Sequence, residues 1–287
     1  MNNIVFFTVV FPSVEQYLDD FFTSLQNQTV KEFDVFIIND GLPGFSVYKR
    51  RFGDLPITDI SFQGTPAKIR EFGINYVSRK RYDFIVFGDA DDYFAENRIE
   101  VSASLLKDFD IVVNDLDLVD ENKRNLEKGY LSRRIGNRDI IRYDYVQDKN
   151  IFGMSNTAIK GSLISNLTIE EDLIAIDWCI FAQLLADGVR AVFTNDTTTY
   201  YRQHERNIVG IKTLSKDAVL KGIMVKVAHY KRMAGIDFRY SPLYERSKKL
   251  KDLLTSNAQF LDLYLKRITD LQIKNPFWWE EIKLVEV

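Results

Sequence analysis

The first 115 residues alternate apolar runs with amphipathic segments, and this alternation leaves the chain few possible folds. A short apolar run predicts a buried strand, whereas apolar residues that recur at helical spacing predict a helix with one buried face. Strands that alternate with helices in this way form βαβ units and a mainly parallel sheet. The predicted strands are 4–10, 34–38, 57–61, 83–87 and 111–113, and the predicted helices are 14–26, 45–52, 67–79 and 97–107.

The rest of the chain divides into an irregular stretch and a helical end. Residues 116–175 show little periodicity, 176–187 read as a short helix, and 191–194 and 198–202 read as strands. From residue 213 onward the pattern predicts two long helices, 215–233 and 243–271. Thr65 and Pro66 form a typical helix start, because threonine accepts a backbone hydrogen bond at the N-cap and proline suits the first helical position.

Carboxylates follow two of the predicted strands. Asp40 ends the second strand, and Asp89, Asp91 and Asp92 follow the fourth. Ligands of such sheets bind outside the carboxyl ends of the strands. Residues i and i+2 of an extended chain point to the same side, so Asp89 and Asp91 are able to face one cation, for which hard oxygen ligands suit Mg²⁺ or Mn²⁺. The alternatives are a solvated acidic turn, or a cap for the helix that begins near Glu96.

Composition excludes several classes of protein. A single cysteine, Cys179, rules out an internal disulfide framework and a cysteine-based zinc site, and it favours the reducing cytoplasm. A sequence pI near 5.6 gives no support for nucleic-acid binding. The apolar run 4–10 lacks a basic flank and is too short to cross a bilayer, so it reads as a core strand.

Six segments share their order and spacing with a known family: 17–18 with 24–29, then 37–41, 67–74, 88–92, 176–178 with Gly188, and 201–204 with Asn207 and Gly210. Together they resemble the family 2 glycosyltransferases, enzymes of the GT-A fold that use nucleotide-diphosphate sugars. The resemblance covers about residues 4–210. It implies a GT-A, α/β catalytic domain at 1–210, with a nucleotide-binding half at 1–115 and an acceptor half at 116–210. A helical extension at 211–287 follows.

The resemblance also implies roles for individual residues. Asp177 corresponds to the catalytic base, and Tyr93 and Trp178 are expected to contact the acceptor. Metal ligands are expected among Asp89, Asp91, Asp92 and His204, with Mn²⁺ or Mg²⁺ as the cofactor. The residues expected to contact the nucleotide donor are Phe11, Asn39, Asp40, Lys68, Arg70, Asp89, Ala90, Asp91, Arg202 and His204.

This set of residues suits sugar transfer from a nucleotide diphosphate. A divalent cation would neutralise the leaving diphosphate, and one carboxylate would deprotonate the acceptor hydroxyl. A single base with direct displacement predicts inversion at the anomeric carbon. The expected partners are the donor and a glycan or lipid-linked acceptor, in the synthesis of a bacterial surface polysaccharide.

Each assignment has a structural alternative. Asp177 is able to cap its helix, Asp40 to form a turn, and Trp178 to pack in the core. Lys68 and Arg70 are equally compatible with a solvated helix face, and His204 with an ordinary loop. At the level of the whole protein, the alternatives are a nucleotidyltransferase and a non-catalytic protein that binds sugar nucleotides. The segment 11–14 lacks the glycine-rich, basic loop typical of the former.

The C-terminal region differs in charge from the rest of the chain. Residues 211–287 hold 15 lysines and arginines against 9 aspartates and glutamates, while the whole chain has a net charge of −3. A basic helical tail suits contact with acidic lipid headgroups at the inner face of a membrane, and a solvated face is the alternative. The aromatic cluster Phe277-Trp278-Trp279 has three interpretations: docking of the tail onto the catalytic domain, a dimer contact, or a lipid interface.

Overall fold

The computed structural model describes residues 3–204, 215–271, 273 and 276–284, which form two compact units. The first unit comprises 1–141, 152–171 and 189–205, and the second comprises 142–151, 172–188 and 206–287. The predicted domain boundary after residue 210 lies outside the described residues, as do Asn207 and Gly210.

The first unit is built on one sheet, whose described strands number ten. They are β1 Ile4–Val10, β2 Asp34–Asn39, β3 Ile57–Ser61, β4 Phe84–Phe87, β5 Tyr93–Phe94, β6 Ile111–Val119, β7 Asn125–Glu127, β8 Ile140–Ile141, β9 Thr157–Lys160 and β10 Ala191–Arg202. The order across the sheet is β3-β2-β1-β4-β9-β6-β10-β5, with β7 beside β6 and β8 beside β10.

Strands β3, β2, β1 and β4 are mutually parallel, as the alternation of strands and helices predicts. Strand β9, which the sequence pattern did not reveal, runs antiparallel between β4 and β6. The predicted strands 191–194 and 198–202 are a single strand, β10, because a shift of register between Thr194 and Thr198 accommodates the polar residues between them. Strand β6 extends beyond its predicted end because its later polar side chains are hydrogen-bonded inside the unit.

Four α-helices accompany the sheet among the described residues of the first unit: α1 Leu18–Gln26, α2 Ser46–Arg51, α3 Pro66–Arg79 and α4 Arg98–Leu105. Helix α3 begins as predicted, since the Thr65 hydroxyl accepts a hydrogen bond from the Lys68 N–H at 3.3 Å. Helix α1 is preceded by a 3-10 turn, Pro12–Tyr17, where the sequence predicted one continuous helix.

The described α-helices of the second unit are α5 Ile176–Ala186, α6 Lys216–Ala234, α7 Ser241–Ser256 and α8 Ala258–Asp270. The single helix predicted for 243–271 is therefore two helices. Asn257 separates them, because its side-chain oxygen accepts a hydrogen bond from the Phe260 N–H at 3.0 Å and caps α8. In the described part of the chain, no helix combines the length and apolar character that crossing a membrane requires.

The C-terminal aromatic cluster packs within the second unit. Phe277 is fully buried, and the backbone of Trp278 pairs with that of Asn150. Lys226, buried on α6, donates hydrogen bonds to the Asp148 carbonyl at 2.8 Å and the Ile282 carbonyl at 2.6 Å. Burial lowers the pKa of Lys226 to about 8, which shows how strongly this contact desolvates the ammonium group. These contacts favour the docking interpretation of the cluster.

Candidate active site

The carboxyl ends of β1, β2 and β4 meet at one edge of the sheet, and predicted site residues follow each of these strands. The Asp40 N–H donates to the Val10 carbonyl at 2.8 Å, which holds Asp40 next to the start of the Phe11 segment. Phe11 keeps 37% of its surface exposed. The loop that begins at Gly88 leaves β4 at the same edge, where the Gly88 N–H donates to the Phe7 carbonyl at 3.1 Å.

Asn39 shapes the turn beside Asp40. Its side-chain oxygen accepts from the Leu42 N–H at 2.7 Å, and its amide donates to the Leu42 carbonyl at 3.0 Å. Asn39 is also buried, and these bonds give its side chain a role in the turn. A cavity of about 430 Å³ opens beside this turn and is lined in part by Asn39, Gly41 and Phe62, so the contact of Asn39 with the nucleotide stays a prediction.

Asp92 points into the first unit. One carboxylate oxygen accepts from the Arg202 N–H at 2.7 Å, and the other accepts from the Ser155 hydroxyl. Burial, together with the carboxylates of Asp91 and Asp89, raises the pKa of Asp92 well above its ordinary value. Both oxygens are committed to the protein, so we assign Asp92 the task of holding the loop and not the predicted contact with a metal.

Asp91 and His204 come together as predicted. The Nε2 atom of His204 lies 2.9 Å from Oδ2 of Asp91, and the imidazole stacks on the Tyr17 ring with 5.6 Å between centroids. Within the described residues, no group of three or more His, Cys, Asp or Glu side chains is arranged to hold a metal ion. The Asp91 carboxylate fits Mg²⁺ or Mn²⁺, because one or two carboxylates with substrate phosphates and water commonly complete the coordination of Mg²⁺, and carboxylate oxygens also suit Mn²⁺.

Asp89 faces a different partner. Its carboxylate lies 3.6 Å from the Arg70 guanidinium, and 36% of its side chain is exposed. Desolvation of the partly covered carboxylate raises the pKa of Asp89, the Arg70 guanidinium opposes the rise, and the nearby Asp91 carboxylate adds to it. The carboxylates of this loop therefore repel one another, which is the electrostatic condition that a bound cation relieves. The Ala90 side chain is buried, so only its backbone is available to a ligand.

Arg202 is almost completely buried, with 1% of its surface exposed. Its guanidinium donates to the Asp91 carbonyl at 2.8 Å, to the Glu121 carbonyl at 2.8 Å and to the Asp20 carboxylate at 3.0 Å. These bonds engage Nε and both Nη atoms. We therefore assign Arg202 to holding the site together, in place of the predicted contact with the nucleotide.

Lys68 and Arg70 share helix α3 but have different environments. Lys68 pairs with Glu71 at 3.1 Å and donates to the Ile169 carbonyl at 3.3 Å, while Glu71 accepts from the Ile169 N–H at 2.6 Å. Lys68 thus holds the segment around Ile169, and its contact with the nucleotide stays a prediction. Arg70, beside Asp89, stays the candidate on this helix for a phosphate, whose geometry its planar fork matches.

Asp177 lies in the first turn of α5, in the second unit. The N-cap of this helix is Ala175, so Asp177 begins the helix without capping it. Its Oδ1 accepts from the Trp178 N–H at 2.7 Å. Trp178 is fully buried, donates from Nε1 to the Val146 carbonyl at 2.8 Å, and stacks on His229 with 3.8 Å between centroids. The ring belongs to the core, and this replaces the predicted contact with the acceptor.

Tyr93 is half-buried in the first unit and stacks on Tyr200, with ring centroids 4.5 Å apart.

Three further residues of the site carry no signal in the sequence: Ser155, which holds Asp92, and Asp20 and Glu121, which hold Arg202. Their contacts join residues far apart in the chain, for example 63 positions between Ser155 and Asp92. No local pattern in the sequence signals such a pair.

Comparisons with known proteins bear on the family and the fold of the chain. The family described as Glycosyl transferase family 2 matches residues 6–159. A curated relative, "Uncharacterized glycosyltransferase YwdF" of Bacillus subtilis (strain 168), is 26% identical over 114 residues, which cover 39% of this chain and 41% of that protein. The chain thus spans less than half the length of this relative.

Solved structures show the same fold. S. aureus TarS 1-349 in complex with UDP-GlcNAc has a TM-score of 0.60 and 14% identity, with coverage of 94% of this chain and 90% of that one. The mannosyltransferase PcManGT from Pyrobaculum calidifontis, in complex with GDP-Man and Mn²⁺, has a TM-score of 0.60 and 15% identity, with coverage of 95% and 76%. The predicted α/β, GT-A fold with C-terminal helices is confirmed.

Proposed function

The chain belongs to glycosyl transferase family 2, and from this premise we propose that it is an inverting glycosyltransferase that depends on a divalent metal. It would move a sugar from a nucleotide-diphosphate donor to a hydroxyl of a glycan or lipid-linked acceptor, in the synthesis of a bacterial surface polysaccharide. The observation that carries the proposal is the meeting of Asp91, in the loop that follows β4, with His204, which follows β10, at 2.9 Å. In the same loop as Asp91, the Asp89 carboxylate lies 3.6 Å from the guanidinium of Arg70 on helix α3.

The proposed metal ligands are Asp91 and His204, with oxygens of the donor diphosphate. When bound, Mn²⁺ or Mg²⁺ would act as a Lewis acid that neutralises the charge of the leaving nucleoside diphosphate. Arg70 would add a second positive charge near the phosphates. The buried Arg202 would leave the substrate untouched and keep the carboxylate loop in place.

The proposed nucleoside site is the edge formed by Phe11, Asp40 and the adjacent cavity. Phe11 offers an exposed aromatic surface for a base, and Asp40 offers a carboxylate to sugar hydroxyls. The solved relatives bind UDP-GlcNAc and GDP-Man, which supports a nucleotide-sugar donor for this chain without deciding the base.

The proposed base is Asp177. It would accept the proton of the acceptor hydroxyl as the oxygen of that hydroxyl forms its bond to the anomeric carbon and the bond to the diphosphate breaks. One displacement inverts the anomeric configuration. Tyr93 would offer a flat surface to an acceptor sugar. The basic C-terminal helices would allow the chain to work at the inner face of a membrane, where a lipid-linked acceptor is exposed.

A thermal-shift screen of nucleotide sugars, with and without Mn²⁺, tests the proposal. A ligand that binds only the folded protein raises its melting temperature, so the donor should stabilise the protein more when Mn²⁺ is present. Release of nucleoside diphosphate from that donor should follow the same metal dependence. Stabilisation without any release or transfer would identify a non-catalytic sugar-nucleotide-binding protein. No stabilisation by any donor would contradict the proposal.

Asp40→Ala is expected to weaken binding of the nucleotide by about 1.5–3 kcal/mol, the scale of a hydrogen bond to a charged group. Isothermal titration calorimetry with the nucleoside diphosphate of the stabilising donor measures the effect. Asp54→Ala removes an exposed carboxylate from the same unit and serves as the control. Equal affinities for the two variants would return Asp40 to the role of a turn residue.

A further inference from the structure

Arg202, Tyr17, Tyr93 and His204 form one connected set of ring and guanidinium contacts in the first unit, here called the column. The guanidinium lies 4.6 Å from the centroid of the Tyr17 ring and 5.5 Å from that of Tyr93. The His204 imidazole is nearly parallel to the Tyr17 ring, at 19° and 5.6 Å between centroids. The column thus leads from a buried arginine to one of the two proposed metal ligands.

The end of β10 contacts the loop that carries the other ligand. Thr199 and Tyr200 pair antiparallel with Phe94 and Tyr93 of β5. Beyond that pairing, the Arg202 N–H donates to the Asp92 carboxylate at 2.7 Å, and the Arg202 Nε donates to the Asp91 carbonyl at 2.8 Å. Backbone and side chain of one residue therefore hold both neighbouring positions of the acidic loop.

A buried guanidinium is stable only when its donors are bonded, and those of Arg202 reach three separate parts of the first unit. The Asp20 carboxylate belongs to α1, one turn from Tyr17, and Glu121 follows β6. The arginine consequently connects the helix that carries Tyr17 to the loop that carries Asp91. The Tyr17 and Tyr93 rings add cation–π attraction to its guanidinium.

From this geometry we infer that Arg202 and Tyr17 are positioning residues for the metal site, an inference that rests on the proposed function. Arg202 fixes the main chain of Asp91, and Tyr17 fixes the imidazole plane of His204. The two ligands then meet before a cation arrives, so little side-chain freedom is lost on binding. Neither residue touches the cation or the substrate.

Binding of Mn²⁺ alone to the full chain, followed by electron paramagnetic resonance of the unbound ion, tests the inference without any turnover. Tyr17→Leu keeps apolar bulk but removes the stacked ring, and it should weaken Mn²⁺ binding about 3–10-fold, the range expected when one side chain must be ordered on binding. Tyr17→Phe keeps the ring and should restore affinity to within about 2-fold. The control is Tyr76→Leu, which removes a ring stacked on Phe36 at 4.7 Å.

Arg202→Lys provides the second arm. Lysine keeps the charge but lacks the planar fork that reaches three acceptors, so Mn²⁺ affinity should fall at least as far as in Tyr17→Leu.

Melting temperatures of all variants are measured in parallel, and Tyr17→Leu carries the test if Arg202→Lys does not fold. Equal Mn²⁺ affinity in Tyr17→Leu, Tyr17→Phe and wild type overturns the positioning role alone. Wild-type protein that binds no Mn²⁺, with or without UDP or GDP, overturns the proposed metal site and the positioning role with it.

Discussion

Asp177→Asn is expected to slow sugar transfer by about 10²–10⁴-fold, the usual contribution of a positioned general base. Asparagine keeps the shape of the side chain and an oxygen that accepts the Trp178 N–H, so helix α5 should start at the same place. The fold should lose no more than about 0.3–1 kcal/mol, because a negative charge in the first turn interacts favourably with the helix dipole. Transfer rates, donor affinity and the melting temperature are measured on one preparation.

Asp187→Asn is the matched control, since this exposed aspartate closes the opposite end of the same helix. Donor and metal should bind both variants almost as they bind the wild type, because the proposed base contacts neither. A transfer rate near that of the wild type in Asp177→Asn would disprove the proposed mechanism. The base would then have to be sought in the acidic run Glu170, Glu171 and Asp172.

Asp91→Asn should abolish turnover and the part of nucleotide binding that depends on Mn²⁺. The substitution removes one of two proposed metal ligands, and the Lewis acid is worth several kcal/mol in the transition state, so a loss of more than about 10²–10³-fold is expected. The loop itself should persist. Its contact with Arg202 uses the Asp91 carbonyl, which the variant retains.

Calorimetry of the nucleoside diphosphate with and without Mn²⁺ separates metal-dependent from metal-independent affinity in this variant. Asp108→Asn, at an exposed position of the same unit, controls for the loss of one negative charge. If Asp91→Asn transfers sugar at the wild-type rate without added metal, the assignment of the acidic loop to a metal site must be abandoned.

Local patterns in the sequence were sufficient to predict much of the sheet and one edge of the site. Strands β1 and β3 have their predicted bounds, and Thr65 starts α3 as its hydroxyl suggests. The positions of Asp40 and Asp91 at one edge of the sheet were predictable, because parallel strands place their carboxyl ends at that edge and a polar residue after a buried strand therefore lies there. Each of these inferences needs only neighbours in the chain.

The roles of Asn39, Lys68, Arg202 and Trp178 required the structure, because contacts distant in sequence decide each of them except that of Asn39. From the sequence alone, a tryptophan beside the proposed base is as compatible with packing against an acceptor sugar as with a place in the core. The stacking of Trp178 on His229 decides for the core. From the sequence alone, Arg202, two residues before a histidine, is compatible with binding a phosphate. Its bonds to Glu121 and Asp20 show that the guanidinium is already used within the protein. The turn role of Asn39 has a local cause, since its bonds to Leu42 form a turn that aspartate or asparagine at that position permits equally.

The pairing of β10 with β5 limits how this stretch of chain is able to change over evolution. Side chains alternate between the two faces of a strand, so Tyr200 and Arg202, both in β10, share one face only while the spacing of two residues is kept. Exchange of one side chain for another alters only the contacts of that side chain. Insertion or deletion of one residue between Tyr200 and Arg202 would instead turn Arg202 to the opposite face of the strand. Descendants of this chain should therefore tolerate drift in residue type here more readily than any change in length.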